Sequence, residues 1–388
     1  MSPLPEAVIV ATGRSPIGRA RKGSLIDVRP DDLGAFVVRH VLDKLPPLDD
    51  AAVDDVLCGC GLPGGEQGFN LGRAISVLSG VNAPGTTVTR YCASSLQTTR
   101  MAAHAIRAGE GHVFVSVGVE CVSRYTNGHS DPPEAENPRL ALENAERLPC
   151  LYISMGLTAE NVAEREGISR EAMDEFALLS QQRAVAAQDA GFFDREIIPF
   201  PLADGSVVSL DDGPRREASI DKLAALEPVF KEGGRVTAGN ACPLNDGAAC
   251  VVVMSDERAR ELGIEPLARI VATAVSALEP EYMGLGPIEA TRRVLQLAGM
   301  TIDDVDIIEI NEAFAAQVIP SARAIGVPLE KLNPFGGAIA LGHPYGMTGA
   351  RILTTLINGL QTMDATYGLE TMCVGGGMGM AMIIERTR

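Results

Sequence analysis

The sequence is built from short apolar runs that alternate with helix-like stretches, and this alternation occurs twice. In the first part of the chain, β-type runs such as Val53–Cys58 and His112–Val119 alternate with stretches such as Leu33–Leu45, which has the spacing of a helix. From Leu267 onward the alternation returns. Strands that alternate with helices form mostly parallel sheets covered by helices. The sequence therefore predicts an α/β protein with two similar halves.

The two halves also share a spacing between polar residues. The first of these β-type runs is echoed at Asp304–Glu309. Thirty-two positions separate Cys60 from Cys92, and the same number separates Asn311 from His343. A duplicated α/β unit would place Cys92 and His343 at equivalent strand-to-helix corners on one shared seam.

Composition changes after Glu120 and indicates an inserted segment. Residues Arg124–Arg147 are polar, acidic and proline-bearing, which predicts a surface excursion. The α/β pattern resumes only near Ala248, and we expect its final strand at Thr371–Ile384. Three units are predicted: an N-terminal half over residues 1–118 and 245–266, an inserted loop domain over 119–244, and a C-terminal half over 267–388.

Charge and cysteine usage exclude several classes of function. The 388 residues carry a formal net charge of −17, a surface that repels nucleic acid and anionic lipid. The eight cysteines form no C-x-x-C pair, and Cys58-Gly-Cys60 is tighter than metal-ligand spacing, so we predict no metal site. The sequence shows neither a signal-peptide pattern at its N-terminus nor an apolar run of the ~20 residues that span a membrane. We therefore expect a cytoplasmic protein.

Cys92 is the first candidate catalytic residue. It precedes an Ala-rich stretch with helical spacing and follows the short β-type run that begins at Gly85. The N-terminus of a helix favours an anion, so a cysteine there is expected to have a lowered pKa and to serve as a thiolate nucleophile. The alternative is a small buried hydrophobic residue, as many cysteines are.

Three further motifs place polar side chains beside glycine-rich backbone. NEAFA contains Asn311 and follows a β-type run, GGAIALGHPYGMTGAR contains His343 before a helix, and CVGGGMG contains Cys373 within an apolar run. Glycines within a strand mark the close approach of another backbone or of a ligand. Two cysteines, a histidine and an asparagine in such surroundings fit acyl transfer through a cysteine thiolate.

These motifs, together with TRYCASSLQ around Cys92, resemble those of the thiolases in order and spacing, and the resemblance covers essentially the whole chain. The segments VTAGNACPLNDGAA and SMGLTAENVAEREGISREAMDEFALLSQQRA are also similar. The resemblance implies two duplicated βαβαβαββ halves stacked in five α-β-α-β-α layers, with a loop domain inserted in the first half. It also implies an acyltransferase that reversibly cleaves 3-ketoacyl-CoA with CoA, has CoA as a substrate, and holds no cofactor tightly.

The resemblance also assigns catalytic roles by motif. Cys92 would be the nucleophile that holds the acyl group as a thioester, and His343 would take its proton. Cys373 would protonate the acetyl-CoA carbanion equivalent or, in reverse, remove the α-proton. His343 and a water held by Asn311 would stabilise the thioester enolate, and the backbone N–H groups of Cys92 and Gly375 would form the second oxyanion hole.

For CoA, the resemblance indicates the loop domain. Arg215 would face the nucleotide end, with Arg216 as the alternative. Residues expected around the pantetheine and the acyl group are Met155, Phe230, Ala238, Cys242, Ala313 and Phe314.

Departures from the family pattern bear on substrate and assembly. Cys242 stands where a serine usually contacts the pantetheine, and Ser154 stands where short-chain biosynthetic members often have histidine. The smaller Ser154 favours a degradative 3-ketoacyl-CoA thiolase with room for longer chains. Alternatives are an acetyl-CoA acetyltransferase and an inactive thiolase-fold lipid-binding or scaffold protein. A homodimer or a homotetramer is implied; Arg124–Arg147 differs from the family's tetramer-forming loop.

Overall fold

The computed structural model describes residues 5–125, 133–141 and 148–387, so the predicted excursion lies partly outside the described residues. The strands are β1 (Ala7–Arg14), β2 (Gly18–Arg19), β3 (Asp55–Gly59), β4 (Gly85–Val88), β5 (Val113–Cys121), β6 (Phe200–Pro201), β7 (Val207–Val208), β8 (Asn245–Ser255), β9 (Ala268–Ala277), β10 (Ile307–Ile310), β11 (Tyr367–Val374) and β12 (Met378–Arg386). The α-helices are α1 (Pro30–Leu42), α2 (Leu71–Leu78), α3 (Ser94–Ala108), α4 (Met155–Arg165), α5 (Arg170–Asp189), α6 (Ile220–Ala224), α7 (Asp256–Leu262), α8 (Gly286–Ala298), α9 (Ala315–Ile325), α10 (Ala338–Leu341) and α11 (Thr348–Thr362).

The strand order repeats between the two halves. The first half runs β1-β8-β5-β3-β4, and the second runs β9-β12-β11-β10. A parallel bridge between Ile308 and Leu332 stands at the edge of β10, where the first half has β4. In both halves the first strand pairs antiparallel with the last, and the central pair, β3–β5 or β10–β11, is parallel. The halves join where β1 meets β9, at Val8–Arg269 and Ile9–Ala268.

Helices cover both outer faces and also fill the space between the halves. α1 and α2 pack on the outside of the first half, α8 and α9 pack on the outside of the second, and α3 and α11 lie against each other in the centre. Side chains of the central layer that are fully buried include Leu96, Ala102, Ile106, Ile352, Leu353 and Leu356. The predicted five-layered α/β fold with duplicated halves is thereby confirmed.

The segment between β5 and β8 contributes a small body of its own. It holds α4, α5, α6 and the β6–β7 ribbon, and its apolar residues pack against the start of α9 through Phe314 and Ala315. The boundary predicted at residue 119 falls within β5, which continues to Cys121. The division into three domains stays a prediction.

The predicted final strand over Thr371–Ile384 is wrong, because the chain reverses within it. β11 and β12 form an antiparallel hairpin in which Cys373 pairs with Gly379. Gly376 and Gly377 have φ values of 80° and 79°, in the region that favours glycine, and they make the reversal possible. The hairpin turn brings the backbone just after Cys373 towards the corner that holds Cys92.

A buried ion-pair cluster fastens the segment between β5 and β8 to both halves. Arg14, at the end of β1, donates from Nε to Glu196 Oε2 at 2.9 Å and from Nη1 and Nη2 to Asp211 at 2.8 and 3.0 Å. Glu196 also accepts from Thr355 Oγ1 at 3.1 Å and Asn358 Nδ2 at 3.0 Å, both on α11. Burial lowers the pKa of Arg14, but the carboxylates of Asp211 and Glu196 outweigh burial and raise it. The guanidinium is therefore charged and balanced by carboxylates.

Arg14→Met should lower the free energy of unfolding by about 3–5 kcal/mol, because two carboxylates remain buried without their cation. Urea denaturation followed by circular dichroism measures the change. Arg29→Met is the control: Arg29 is 45% exposed and pairs with Asp31 and Glu66, so its loss should cost no more than about 1 kcal/mol. Equal losses in the two variants would contradict the structural role of the buried cluster.

Candidate active site

Cys92 lies in a tight turn that connects β4 to α3. The turn, Tyr91–Ala93, is a 3₁₀ helix, and Tyr91 has a φ of 43°, which is unusual for a residue with a side chain. Ser94 holds the corner: its hydroxyl accepts from Arg90 N–H at 2.9 Å and donates to Tyr91 O at 2.6 Å. The backbone is thus held in a strained form that places Cys92 just ahead of the helix.

The predicted lowering of the Cys92 pKa is wrong. Burial raises the pKa of the Cys92 thiol to about 12, against the opposing effect of the backbone N–H groups of Gly375 and Cys92, and the charge of Glu120 raises it further. Sequence reasoning considered the helix terminus but not the loss of water around the sulfur. Cys92 is therefore a thiol at neutral pH.

His343 follows α10 and stands ahead of α11. Its backbone N–H donates to Asn245 Oδ1 at 2.9 Å, and its Nδ1 lies 2.6 Å from Thr348 Oγ1. The Thr348 hydroxyl donates its proton to Pro344 O at 2.8 Å, so it must accept from His343 Nδ1–H. This hydrogen-bond pattern assigns the proton to Nδ1 and leaves a lone pair on Nε2.

Asn311 stands beside that lone pair. It follows β10 directly, and its Nδ2 lies 3.3 Å from His343 Nε2. Among the described residues, none donates a hydrogen bond to the buried Asn311 Oδ1, so this atom is available to a water molecule or a ligand. Burial and, to a smaller extent, the charge of Arg351 lower the pKa of His343 to about 3. The imidazole is therefore neutral and can accept a proton at Nε2.

Cys373 and Gly375 complete the group of predicted catalytic residues. Cys373 is fully buried at the end of β11, and burial followed by the charges of Cys92 and Cys242 raises its pKa. Cys373 and Cys242 also belong to one apolar cluster, and β11 packs against the turn that holds Cys92. Gly375 faces Tyr91 and Met155: a Cβ added to Gly375 would lie 3.4 Å from Tyr91 Cδ2 and 3.7 Å from Met155 Sδ.

The residues predicted to bind CoA fall into two places. Arg215 and Ala238 line a cavity of about 290 Å³, whereas Arg216 points away and pairs with Asp189. The apolar residues lie closer to the thiols. Among them Phe230 meets Phe314 edge-on at 6.2 Å, and Cys242 N–H donates to Ala313 O at 3.0 Å. Arg215 therefore lines this cavity, and its role in binding CoA stays a prediction.

Sequence reasoning missed several residues of these sites. Arg19 and Lys222 add cationic side chains to the cavity of Arg215, and burial followed by the charge of Arg19 lowers the pKa of Arg215. Thr348, which sets the His343 tautomer, lies five positions after His343 in the same glycine-rich motif, so the sequence alone could have indicated it. No pattern in the sequence indicated Arg19 or Asn245, because only the fold brings Arg19 to the cavity of Arg215 and Asn245 to the backbone of His343.

No group of three metal-binding side chains is found in residues 5–125, 133–141 and 148–387. In the same ranges, no helix has both the length and the apolar character needed to cross a membrane.

Comparison with known proteins defines the class. Residues 7–257 match the thiolase N-terminal domain, and residues 264–386 match the thiolase C-terminal domain. The chain therefore belongs to the thiolase family, whose members are acyltransferases that use CoA.

Particular relatives are similar along their whole length. The chain is 43% identical to a 3-ketoacyl-CoA thiolase of Bacillus subtilis, over 98% of this chain and 100% of the relative. It is 42% identical to a beta-ketoadipyl-CoA thiolase of Acinetobacter baylyi, over 99% and 100%. Among solved structures, human mitochondrial 3-ketoacyl-CoA thiolase in complex with CoA superposes with a TM-score of 0.90 at 34% identity, over 99% of this chain and 98% of the human one.

The protonation states of the free site predict the pH dependence of Cys92 alkylation. With a thiol pKa of about 12, the rate with iodoacetamide should keep rising through about pH 9, since only the thiolate reacts. Peptide mapping by mass spectrometry separates Cys92 from the other cysteines, and Cys92→Ala gives the background. A plateau below about pH 8 would instead indicate a preformed thiolate–imidazolium pair.

Proposed function

We propose that the protein is a 3-ketoacyl-CoA thiolase (acetyl-CoA C-acyltransferase) that cleaves its substrate with CoA through an acyl thioester on Cys92. The observation that carries the proposal is that the N-terminal ends of α3 and α11 pack directly against each other. An added Cβ on Gly349 would lie 2.4 Å from Leu96 N, and Ala350 N–H donates to Ser95 Oγ at 2.9 Å. Cys92 precedes one of these helices and His343 precedes the other.

Cleavage begins with proton transfer. His343 Nε2, which carries the lone pair, takes the proton of the Cys92 thiol as the sulfur attacks the 3-keto carbon of the substrate. The backbone N–H groups of Cys92 and Gly375 stabilise the resulting oxyanion. Because both groups are neutral in the free site, the ion pair forms only during the reaction.

Carbon–carbon cleavage then releases acetyl-CoA. The bond between C2 and C3 breaks, the acyl group stays on Cys92 as a thioester, and the Cys373 thiol gives its proton to C2. His343 and a water held by Asn311 Oδ1 stabilise the enolate of the leaving thioester. The Cys373 thiolate then takes the proton of a second CoA thiol, and the CoA sulfur attacks the acyl thioester to form acyl-CoA. The departing Cys92 thiolate recovers its proton from the His343 imidazolium, which restores the starting site.

The residues expected to surround the acyl group support the substrate class of this proposal. Tyr91, Leu151 and Met155 surround the turn at Gly375 and Gly376, and Ser154 leaves room that a histidine would fill. Apolar walls of this kind favour a fatty acyl chain. Relatives named beta-ketoadipyl-CoA thiolase, at 42% identity, support an ω-carboxylated substrate as a second candidate.

Compartment and assembly form part of the same proposal. All eight cysteines are unpaired, which fits a reducing cytoplasmic compartment. For assembly, the chain forms a homodimer through the outer edge of β4, which within the described ranges pairs only with β3. Phe69 beside it is fully exposed, and Val77 and Leu78 of α2 are more than half exposed. An unpaired strand edge flanked by apolar side chains suits a second copy of the same chain.

Cys92→Ser should abolish thiolysis, because serine is a poor nucleophile without a stronger base. Cys373→Ala should still acquire an acyl group on Cys92 from acyl-CoA but should fail to condense acetyl-CoA. Intact-protein mass spectrometry and a coupled condensation assay measure the two steps. Normal condensation by Cys373→Ala would refute the acid/base assignment.

Thiolysis of a 3-ketoacyl-CoA series, from four carbons upward and including an ω-carboxylated member, should rise with chain length. Activity confined to acetoacetyl-CoA would favour an acetyl-CoA acetyltransferase. A preference for the ω-carboxylated member would favour the second candidate. Cleavage of none, with Cys92 still alkylated, would favour an inactive relative.

Phe69→Asp should convert the dimer to a monomer, because it places a charge in the apolar contact. Sedimentation velocity measures the mass, and Leu297→Asp, at a residue 69% exposed on α8, is the matched control. A Phe69→Asp variant that sediments like the unaltered protein would show that β4 is not the interface.

A further inference from the structure

Glu120 is a buried acidic residue that the reaction described above does not use. It lies near the end of β5, and its exposed fraction is 0%. A carboxylate costs free energy to bury unless its oxygens are fully hydrogen-bonded, so its partners show what it does.

One oxygen of Glu120 bridges the two halves of the protein. Oε2 accepts from Gly61 N–H at 2.6 Å and from Gly346 N–H at 2.8 Å. Gly61 belongs to the loop after β3 in the first half, and Gly346 follows His343 by three positions in the second half. Glu120 Oε2 therefore links the loop that carries His343 in the second half to the loop after β3 in the first half.

The second oxygen is held within the first half. Oε1 accepts from Gln67 Nε2 at 2.7 Å and from Leu62 N–H at 3.3 Å, and it contacts the Tyr125 hydroxyl. Burial raises the pKa of Glu120, while its hydrogen bonds to Gln67, Gly346, Gly61 and Leu62 lower it. The amide and backbone neighbours are all donors, a set that suits an ionised carboxylate.

The loop after β3 in turn supports the Cys92 corner. Thr89 Oγ1 donates to Gly61 O at 2.8 Å, and Ser94 Oγ lies 3.2 Å from Cys60 O. On the other side of Glu120, Gly346 has no room to move inward, since an added Cβ would lie 2.4 Å from Val119 O. Glu120 thus connects the backbone around the nucleophile to the backbone around the base.

We propose that Glu120 is a positioning residue for acyl transfer, whose Oε2 fixes the His343 loop in register with the Cys92 corner. The inference rests on the proposed thiolysis at Cys92. Its physical basis is that proton transfer between two side chains on separate loops depends steeply on their alignment, and a displacement of about 1 Å can cost about 100-fold in rate.

The proposal depends on the reach of the side chain rather than on its charge alone. Glu120→Asp keeps the charge but is one methylene shorter, so its oxygen cannot accept from both Gly61 and Gly346. Glu120→Gln keeps the length: its amide oxygen can take the place of Oε2, and its NH2 group can donate to the Tyr125 hydroxyl in place of accepting from Gln67 and Leu62. We therefore expect kcat for thiolysis to fall at least about 10-fold in the aspartate variant and less in the glutamine variant. KM for CoA should stay within about twofold in both, because the cavity of Arg215 is unchanged.

The experiment is steady-state thiolysis by the full chain, with thermal unfolding recorded for each variant. Asp54→Asn is the matched control: Asp54 accepts from the His112 and Val113 N–H groups at the opposite end of β5, and its loss should leave kcat unchanged. Higher kcat in Glu120→Asp than in Glu120→Gln, or unchanged kcat in both, would overturn the inference. Absence of thiolysis in the unaltered protein would instead overturn the proposed function.

If the Glu120 variants do not fold, Gly346→Ala tests the same register from the other side. The new Cβ would press against Val119 O and displace the His343 loop while leaving Glu120 intact. A kcat loss of at least about 10-fold at constant KM for CoA is expected. Full kcat in that variant would contradict the inference.

Discussion

Backbone-to-backbone contact between the two halves is the constraint on which the rest of this structure depends. An added Cβ on Gly349 would lie 2.4 Å from Leu96 N, and one on Gly118 would lie 2.3 Å from Gly346 O. Glycines at these points let the central helices α3 and α11 meet at their N-terminal ends. Because Cys92 precedes one helix and His343 precedes the other, the same close packing that joins the duplicated halves also builds the site between them.

Burial sets the chemistry of that site. The free site holds a protonated thiol and a neutral imidazole, since desolvation raises the pKa of Cys92 to about 12 and lowers that of His343 to about 3. A preformed ion pair would be costly there without compensating hydrogen bonds. The Thr348 hydroxyl directs the proton of the imidazole to Nδ1 and so keeps Nε2 ready to accept one. In the proposed reaction, charge develops only when a substrate is bound and its keto oxygen becomes the oxyanion.

The sequence predicted much of this arrangement and missed what tertiary packing alone decides. Periodicity and glycine-rich motifs predicted the duplicated fold and singled out Cys92, His343 and Cys373. The β11–β12 reversal was missed because two apolar runs separated by glycines are compatible both with one interrupted strand and with a hairpin of two strands. Glu120 was missed because a single acid in an apolar run gives no hint of a partner 226 positions away. The Cys92 pKa was misjudged because a helix N-terminus can be recognised from neighbouring residues in the sequence. The desolvation of the sulfur depends on residues that only the fold brings close.

The central claim is that Cys92, rather than Cys373 or Cys242, carries the acyl group. The most direct test incubates the protein with a 3-ketoacyl-CoA in the absence of free CoA, quenches with acid, and maps the adduct by peptide mass spectrometry. We expect one acyl group on the Cys92 peptide and one acetyl-CoA released for each acylated site. An acyl group on Cys373 or Cys242, with Cys92 unmodified, would contradict it.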